Sequence, residues 1–217
     1  MSSRGKTKRS NLVRKKNNRK TKKHFLIVTN GTETEYNYFK SFKANIETVK
    51  LDVTSFRLDP LSLIIKTQKL KKTLELKITT KYNEKFKFDE VWCVFDKDEF
   101  PDANIQETQN IALKSKVKLA YSNEAFELWF LLHFNYYENS MGRKELKKKL
   151  NEIYIREYNT EYSKADSDNF IKTIPFVKKA IKNSKKLNEK YSTEGIIDLN
   201  KMNPSTAVHE LVIKLLE

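Results

Sequence analysis

The chain has 217 residues, enough for one sizeable domain or for one domain with a small appendage. Its formal net charge of +15 favours a polyanionic partner, most simply a nucleic acid, and its single cysteine excludes a disulfide framework within the chain. Because no apolar run approaches the roughly 18 residues of a membrane span and no signal-peptide core is visible, we expect a cytoplasmic protein with no membrane partner.

The basic charge is concentrated at the amino terminus. Residues 1–23 carry 11 Lys or Arg, no acidic side chain and almost no apolar content. Such a block of like charge predicts a disordered arm over residues 1–23. The arm would bind nucleic acid through counterion release, and the alternative is a solubilising tail.

Residues 24–137 show a pattern of strands alternating with helices. Residues 25–29 and 91–95 are short apolar runs of the kind found in parallel strands that are covered on both faces. Other patterns predict two further strands, at 51–58 and 117–121. They also predict four helices, over 32–45, 60–78, 103–114 and 125–134. This order predicts an α/β domain with a parallel sheet of about four strands flanked by helices.

Short motifs predict where several of these helices begin. Thr32 and Glu35 have the spacing of a capping box, and Asp59 precedes a proline suited to the first helical position. The sequence Ser-Asn-Glu at 122–124 predicts the cap of the helix at 125–134, which is apolar on nearly every side and should be buried.

Residues 138–217 predict a helical extension packed on the same domain. Their Lys- and Glu-rich patterns indicate no further strand and three helices, at 143–158, 166–190 and 205–216. Pro175 should start, kink or divide the second helix, and Asn203-Pro204-Ser205 is a start signal for the third.

Polar turns follow the first and third strands. Asn30, Glu33 and Glu35 come after the first strand. Asp96 and Asp98 come after the third. In open α/β sheets, ligands collect beyond the carboxyl ends of the strands. If these two strands are neighbours, both turns share one rim and form an acidic pocket suited to a metal ion.

Asp96 and Asp98 give the strongest chemical signal. An i, i+2 pair at a strand end projects both carboxylates to one side, where two hard oxygens suit Mg²⁺. Phosphodiester cleavage uses such a metal to stabilise the attacking and leaving oxygens. The alternative is that one aspartate caps the following helix while the other is solvated.

Four other side chains are weaker candidates. Glu33 and Glu35 are second-choice ligands, and a solvated surface or the capping box would also explain them. Glu127 lies inside an apolar helix, so its carboxylate must be paired with a basic residue, bound to metal or placed at a pocket edge. His133 is a candidate general acid or base or a contact to the nucleic acid, although such a histidine is more often structural.

Several stretches resemble the RloB-like family, which is associated with bacterial restriction and phage-defence loci. They are the basic amino terminus, Asn30-Gly31-x-x-Thr34-Glu35-x-x-Tyr38-Phe39, Asp96-Lys97-Asp98-Glu99, the block from Ser122 to Phe134, and Asn203-Pro204-Ser205-Thr206-Ala207-Val208-His209. Together they cover most of the chain, and the most specific are residues 126–134 and 203–209.

The resemblance implies a member of the TOPRIM superfamily, similar to the TOPRIM effector of a two-gene ATPase–nuclease defence system that cuts tRNA. It implies a nuclease dependent on Mg²⁺ or Mn²⁺ that acts on RNA, with tRNA favoured, or on DNA, in antiviral defence by abortive infection. A glutamate after the first strand and the pair Asp96 and Asp98 would bind the metal. The expected partner is an ATPase subunit encoded nearby.

The chain departs from the family at one position. The family usually has Glu-Gly after the first strand, whereas this chain has Asn30-Gly31. Asparagine coordinates metal through its carbonyl oxygen but has no charge and cannot act as a base. Glu33 or Glu35 would substitute, or the metal is bound weakly, or the natural residue has been changed to disarm a toxic protein. The alternative function is a catalytically degenerate subunit that binds nucleic acid or docks an ATPase.

Overall fold

The fold is described by a computed structural model over residues 22–98 and 100–217. Residues 1–21 of the predicted arm lie outside the described residues. Within that range the chain forms a sheet of five strands, β1 (His24–Asn30), β2 (Lys50–Phe56), β3 (Glu90–Asp96), β4 (Lys118–Asn123) and β5 (Ser205–Thr206). The helices are α1 (Thr34–Asn45), α2 (Pro60–Tyr82), α3 (Asp102–Ser115), α4 (Glu127–Phe134), α5 (Arg143–Tyr158), α6 (Asn169–Thr173), α7 (Val177–Thr193) and α8 (Val208–Leu216). The predicted α/β architecture is confirmed.

The strand order is β2-β1-β3-β4-β5, with β1 to β4 parallel and β5 antiparallel to β4. β1 and β3 are neighbours from the pair Phe25 and Glu90 to the pair Thr29 and Val94. Their carboxyl ends therefore lie side by side, as a shared rim requires. The prediction of no strand after residue 138 is wrong, since β5 lies there. Two residues are too few to show an alternating pattern.

The core lies on both faces of the sheet, and β1 shows how its sequence achieves this. Phe25 and Ile27 belong to the buried cluster that includes α1, α4, α5, α7 and α8. Leu26 and Val28 belong to the cluster on the other face, with α2 and α3. A strand covered on both faces must be apolar at every position, which explains the continuous run at 25–28.

Helix α4 is the centre of the first cluster. Its residues from Glu127 to His133 are buried, as the nearly all-round apolar pattern predicts. Helix α7 packs along it, and the side-chain amide of Asn183 donates to the carbonyl of Leu132 at 2.8 Å. Residues 138–217 thus share one core with the sheet.

Two local signals are confirmed. The Asp59 carboxylate accepts a hydrogen bond from the N–H of Ser62 at 3.0 Å, and Pro60 occupies the first turn of α2. Pro175 lies in a 3₁₀ turn, Ile174–Phe176, which separates α6 from α7. Proline has no N–H to continue the helical ladder, so it divides the predicted helix.

The predicted capping box is wrong. Helix α1 begins at Thr34, and no described side chain caps it. The Thr32 hydroxyl instead accepts a hydrogen bond from Arg57 at 3.1 Å. The carboxylate of Glu35 is buried, and it makes no cap hydrogen bond to this helix.

Two other predicted helix starts are shifted. Residues 122–123 belong to β4, and α4 begins only at Glu127. Residues 205–206 pair with β4 as β5, so the last helix begins at Val208. In both cases pairing within the sheet replaces the local capping signal. None of the helices in the described part of the chain is long and apolar enough to cross a membrane.

Candidate active site

A polar pocket of about 230 Å³ opens at the carboxyl ends of β1 and β3. Its wall combines acidic and basic side chains, and it is lined by residues 30–35, Arg57, Asp96, Asp98, Phe100, Arg143 and Lys164. The turns after β1 and β3 therefore share one rim, as predicted for neighbouring strands.

Asp96 and Asp98 hold one arginine between them. Asp96 is the last residue of β3, and Asp98 lies in the turn beyond it with a φ of 48°. The guanidinium of Arg143, the first residue of α5, lies 3.3 Å from Asp96 Oδ2 and 3.1 Å from Asp98 Oδ2. Helix α3 begins without a cap from any described side chain, so neither aspartate is a capping residue. Both carboxylates face a common cation.

Glu35 is buried behind the turn at Gly31. A Cβ atom on Gly31 would lie 2.8 Å from Glu35 Oε2, and the φ of Gly31 is +147°, a conformation that favours glycine. Burial raises the pKa of Glu35 to about 7, and the repulsion of Glu127 adds to the rise. Lys164 and Arg143 oppose it. Glu35 therefore changes its charge near neutral pH.

We expect Gly31→Ala to destabilise the protein by about 1 to 3 kcal/mol, because the added methyl group meets Glu35 and the backbone is strained for any residue with a Cβ. Chemical denaturation measures this loss. In a Glu35→Ala background the loss should shrink, since only the backbone strain is left. An equal loss in both backgrounds would show that the contact with Glu35 has no energetic weight.

Asp96 is largely buried and its carboxyl group is strongly perturbed. Burial raises the pKa of Asp96 well above its ordinary value, and the nearby charges of Glu35 and Glu127 raise it further. Its Oδ1 atom is buried without a hydrogen-bond partner among the described residues. An unpartnered buried acceptor costs about 1 to 3 kcal/mol, so the pocket favours a bound cation or donor that satisfies it.

Glu127 lies beneath the pocket at the start of α4, with only 1% of its surface exposed. Lys164 Nζ lies 3.2 Å from Glu127 Oε1, and the Tyr162 hydroxyl donates to the same oxygen at 3.3 Å. Of the three environments expected for this carboxylate, pairing with a basic residue is the one observed. Lys164 also lines the pocket, so one partner of this ion pair is buried and the other lies in the pocket wall.

Asn30 lines the pocket, but its side chain already has a partner. Asn30 Oδ1 accepts a hydrogen bond from the N–H of Leu58 at 3.2 Å, which joins the end of β1 to the chain beyond β2. A carbonyl oxygen has two lone pairs, so one is left for a ligand, without charge. Glu33 is exposed at the same rim.

Comparison with known proteins identifies the family. A family model described as RloB-like protein matches residues 25–215, which is most of the chain. The chain belongs to the RloB-like family. No curated protein and no solved structure matches it. The RloB-like match extends from β1 into α8 and includes every residue that lines the pocket.

This RloB-like chain does not bring His133 to the pocket. His133 is fully buried in α4, its Nδ1 atom lies 2.8 Å from the carbonyl oxygen of Trp129, and it is not one of the described lining residues. Burial lowers the pKa of its ring to about 4. A ring that stays neutral inside the core cannot exchange protons with a substrate at the rim. We therefore leave His133 out of the candidate site.

The basic side chains of the RloB-like pocket are the residues that sequence reasoning missed. Arg57, Arg143 and Lys164 line it, yet nothing in the sequence distinguishes them from the rest of the 43 Lys and Arg residues. One signal existed, because the buried Glu127 requires a basic partner, and that partner is Lys164. Lys97, between the two aspartates, pairs with Asp102 at 3.3 Å instead.

The residues of this pocket fit a Mg²⁺ ion held by few protein ligands. No group of three or more Cys, His, Asp or Glu side chains in residues 22–98 and 100–217 is arranged to hold a metal. Mg²⁺ does not require one, since it keeps several waters and usually binds one or two carboxylates plus substrate phosphates. Asp96 and Asp98 supply two carboxylates, and the unpartnered Asp96 Oδ1 is an acceptor that the ion would satisfy.

Proposed function

We propose that this RloB-like protein is a metal-dependent TOPRIM-type nuclease of an anti-phage defence system. It would hydrolyse phosphodiester bonds in RNA, with tRNA as the favoured substrate, or in DNA. The observation that carries the proposal is the unpartnered Asp96 oxygen in a pocket of acidic and basic side chains at the carboxyl edge of an α/β sheet. The family resemblance supports the same activity.

Asp96 and Asp98 would hold the metal. When bound, Mg²⁺ supplies positive charge that stabilises the oxygens of the reacting phosphodiester. Arg143 holds the two carboxylates together and offsets part of their repulsion. The two carboxylates are thereby held side by side before any ligand arrives, and Asp96 Oδ1 stays outside this ion pair.

The basic side chains of the pocket would bind the substrate backbone. An arginine guanidinium matches the geometry of a phosphate and donates two parallel hydrogen bonds to it. The Arg143 side chain is 38% exposed, and its buried Nε has no hydrogen-bond partner among the described residues, so the two aspartates do not use all of its donors. With Arg57 and Lys164 on the same wall, the phosphate would be held beside Asp96.

Glu35 would accept a proton from the attacking water. A general base works best when its pKa lies near the working pH, and the pKa of Glu35 is raised to about 7. Its carboxylate is held by burial behind Gly31, in the wall of the pocket. Burial is the main cause of the raised pKa, and the nearby charge of Glu127 adds to it.

The test is incubation of labelled total tRNA and of a labelled DNA duplex with the full chain, in Mg²⁺, in Mn²⁺ and in EDTA. We expect metal-dependent cleavage, faster on tRNA than on the duplex, and no cleavage in EDTA. Binding of either nucleic acid without cleavage in both metals would count against a nuclease.

One observation favours a second function, that of a degenerate subunit which binds nucleic acid or docks an ATPase. Asn30 is neutral where the family usually has glutamate, and its oxygen is engaged with Leu58. Asn30→Glu separates the cases. A silent wild type with a cleaving variant indicates a disarmed nuclease, and silence of both indicates a binding role. In either case an ATPase encoded nearby is the proposed partner.

A further inference from the structure

One nitrogen atom of Arg143 bridges the two aspartates of the pocket. Its Nη2 atom lies 3.3 Å from Asp96 Oδ2 and 3.1 Å from Asp98 Oδ2. A divalent ion that bridges two carboxylates also lies between their oxygens, at the shorter distance of about 2.0 to 2.1 Å for Mg²⁺. The guanidinium therefore takes the same pair of oxygens that a bridging metal ion would use.

This ion pair leaves one buried group unused on each side. Asp96 Oδ1, an acceptor, and Arg143 Nε, a donor, are both buried and have no hydrogen-bond partner among the described residues. Buried polar groups are seldom left unpaired, because their lost hydration is then not compensated. Asp96 Oδ1 requires a cation or a donor, and Arg143 Nε requires an acceptor. In the observed arrangement the two groups do not satisfy each other.

The unused Nε lies on the same edge of the guanidinium as Nη2. The N–H groups of this edge are parallel and match two oxygens of one phosphate group. The Nη2 atom of the edge contacts Asp96 and Asp98. The edge cannot hold both aspartates and a phosphate at the same time.

Arg143 is placed so that it can leave the aspartates. It is the first residue of α5, and a Cβ atom on Gly142 before it would meet nothing within 4 Å in the described part of the chain. Its side chain is 38% exposed, and within the described residues it forms ion pairs with Asp96 and Asp98 alone. A rotation about its side-chain bonds would release both carboxylates while the backbone of α5 stays in place.

We propose that Arg143 is an exchangeable counter-ion: a divalent ion that binds Asp96 and Asp98 displaces its guanidinium, which then binds a phosphate group of the nucleic acid. Two cations on the same carboxylates repel each other, so the metal and the guanidinium compete. The metal frees the arginine edge, and a phosphate on that edge frees the aspartates, so the two ligands favour each other's binding. This inference rests on the metal site of the proposed function and adds its coupling to the substrate.

Titration of Mn²⁺ into the full chain, followed by electron paramagnetic resonance at pH 8.5, tests the competition at a pH where protons compete little with the metal. We expect Arg143→Gln to bind Mn²⁺ at least about tenfold tighter than the wild type, which is about 1.4 kcal/mol. Arg57→Gln is the matched control, because Arg57 lines the same pocket but donates to Thr32 and not to the aspartates. The control should stay close to the wild-type affinity.

NMR spectroscopy of the wild type observes the exchange directly and does not depend on the affinity of a variant. The Nε–H signal of Arg143, identified by its loss in Arg143→Gln, should shift when Mg²⁺ is added. Dimethyl phosphate, a phosphodiester probe, should shift it again in Mg²⁺ and leave it unchanged in EDTA. The Nε–H signal of Arg57 should not respond to Mg²⁺ alone.

The outcomes separate this inference from the proposed function. If the wild type binds Mn²⁺ and Arg143→Gln binds it no tighter, the exchange is overturned and the metal site remains. An equal gain in Arg143→Gln and Arg57→Gln would show a general effect of charge, and it would also overturn the exchange, as would an Arg143 signal that ignores Mg²⁺. Failure of both the wild type and Arg143→Gln to bind Mn²⁺ would remove the metal site itself.

Discussion

Asp96→Asn is expected to lower nucleic-acid cleavage by at least about 10³-fold while the protein remains folded. A catalytic metal contributes several kcal/mol of transition-state stabilisation, and about 4 kcal/mol corresponds to 10³ in rate. The substitution also replaces a carboxyl group whose ionisation is disfavoured by burial and by the charges of Glu35 and Glu127, so the melting temperature should be maintained or raised. Single-turnover cleavage and thermal unfolding of the same preparation measure both effects.

Asp102→Asn is the matched control for Asp96→Asn. Asp102 lies on α3, its carboxylate is 65% exposed, and it pairs with Lys97 outside the described pocket lining. This variant should cleave at nearly the wild-type rate. Wild-type cleavage by Asp96→Asn would remove Asp96 from the active site, and an equal loss in both variants would indicate a general effect of charge.

Glu35→Gln is expected to stabilise the metal-free protein by about 3 kcal/mol at pH 8 and by almost nothing at pH 4. Burial and the nearby charge of Glu127 disfavour the ionised form of Glu35, and Lys164 and Arg143 offset this effect only in part. The pKa of Glu35 therefore rises from 4.5 to about 7. Each unit of pKa difference between the folded and unfolded states corresponds to about 1.4 kcal/mol. Denaturant unfolding in EDTA at several pH values measures the difference.

The sign of this pH dependence follows from the direction of the shift. The folded state holds the Glu35 proton more tightly than the unfolded state. The contribution of this group to the free energy of unfolding is therefore fully present below about pH 4.5. It is lost as the pH rises through about 7, and glutamine does not titrate. The advantage of Glu35→Gln should therefore appear between these values and level off above them.

Glu33→Gln is the control for Glu35→Gln. Glu33 is on the same turn, but it is exposed, and exposed substitutions usually change stability by less than about 0.5 kcal/mol. A stability gain in Glu35→Gln that is the same at pH 4 and pH 8 would mean that Glu35 is not a strained carboxylate. In the cleavage assay Glu35→Gln should also lose activity, because glutamine cannot accept the proton.

The elements that could be predicted have local signals. The runs at 25–29 and 91–95 are apolar because both faces of β1 and β3 are covered, and that requirement is visible in a few adjacent residues. Asp59 caps α2 through a residue three positions later. Pro175 divides a helix by its own lack of an N–H. None of these depends on a distant part of the chain.

The wrong predictions concern residues whose role is set by distant partners. Thr32 and Glu35 have the spacing of a capping box. In the structure, however, Arg57 donates a hydrogen bond to Thr32, and Glu35 lines the pocket. β5 forms because Thr206 pairs with Ser122 across the sheet, which no pattern around residue 205 records. Tertiary contacts replace the local preference at both sites.

The acidic half of the candidate site could be predicted from the sequence, and the basic half could not. Its carboxylates follow strands, so parallel pairing of β1 with β3 is sufficient to bring their turns to one rim. Arg143 arrives from a helix 47 residues beyond Asp96, and Lys164 comes from a loop still farther along the chain. The balance of acid and base in the pocket therefore appears only in the folded chain.

Divalent metal binding tests the central claim most directly. We would titrate Mn²⁺ into the full chain and follow the free ion by electron paramagnetic resonance, for the wild type, Asp96→Asn and Asp102→Asn. We predict a bound Mn²⁺ in the wild type and in Asp102→Asn, with affinity at least about tenfold lower in Asp96→Asn. No binding by the wild type, or the same affinity in all three proteins, would contradict a metal site at Asp96 and Asp98.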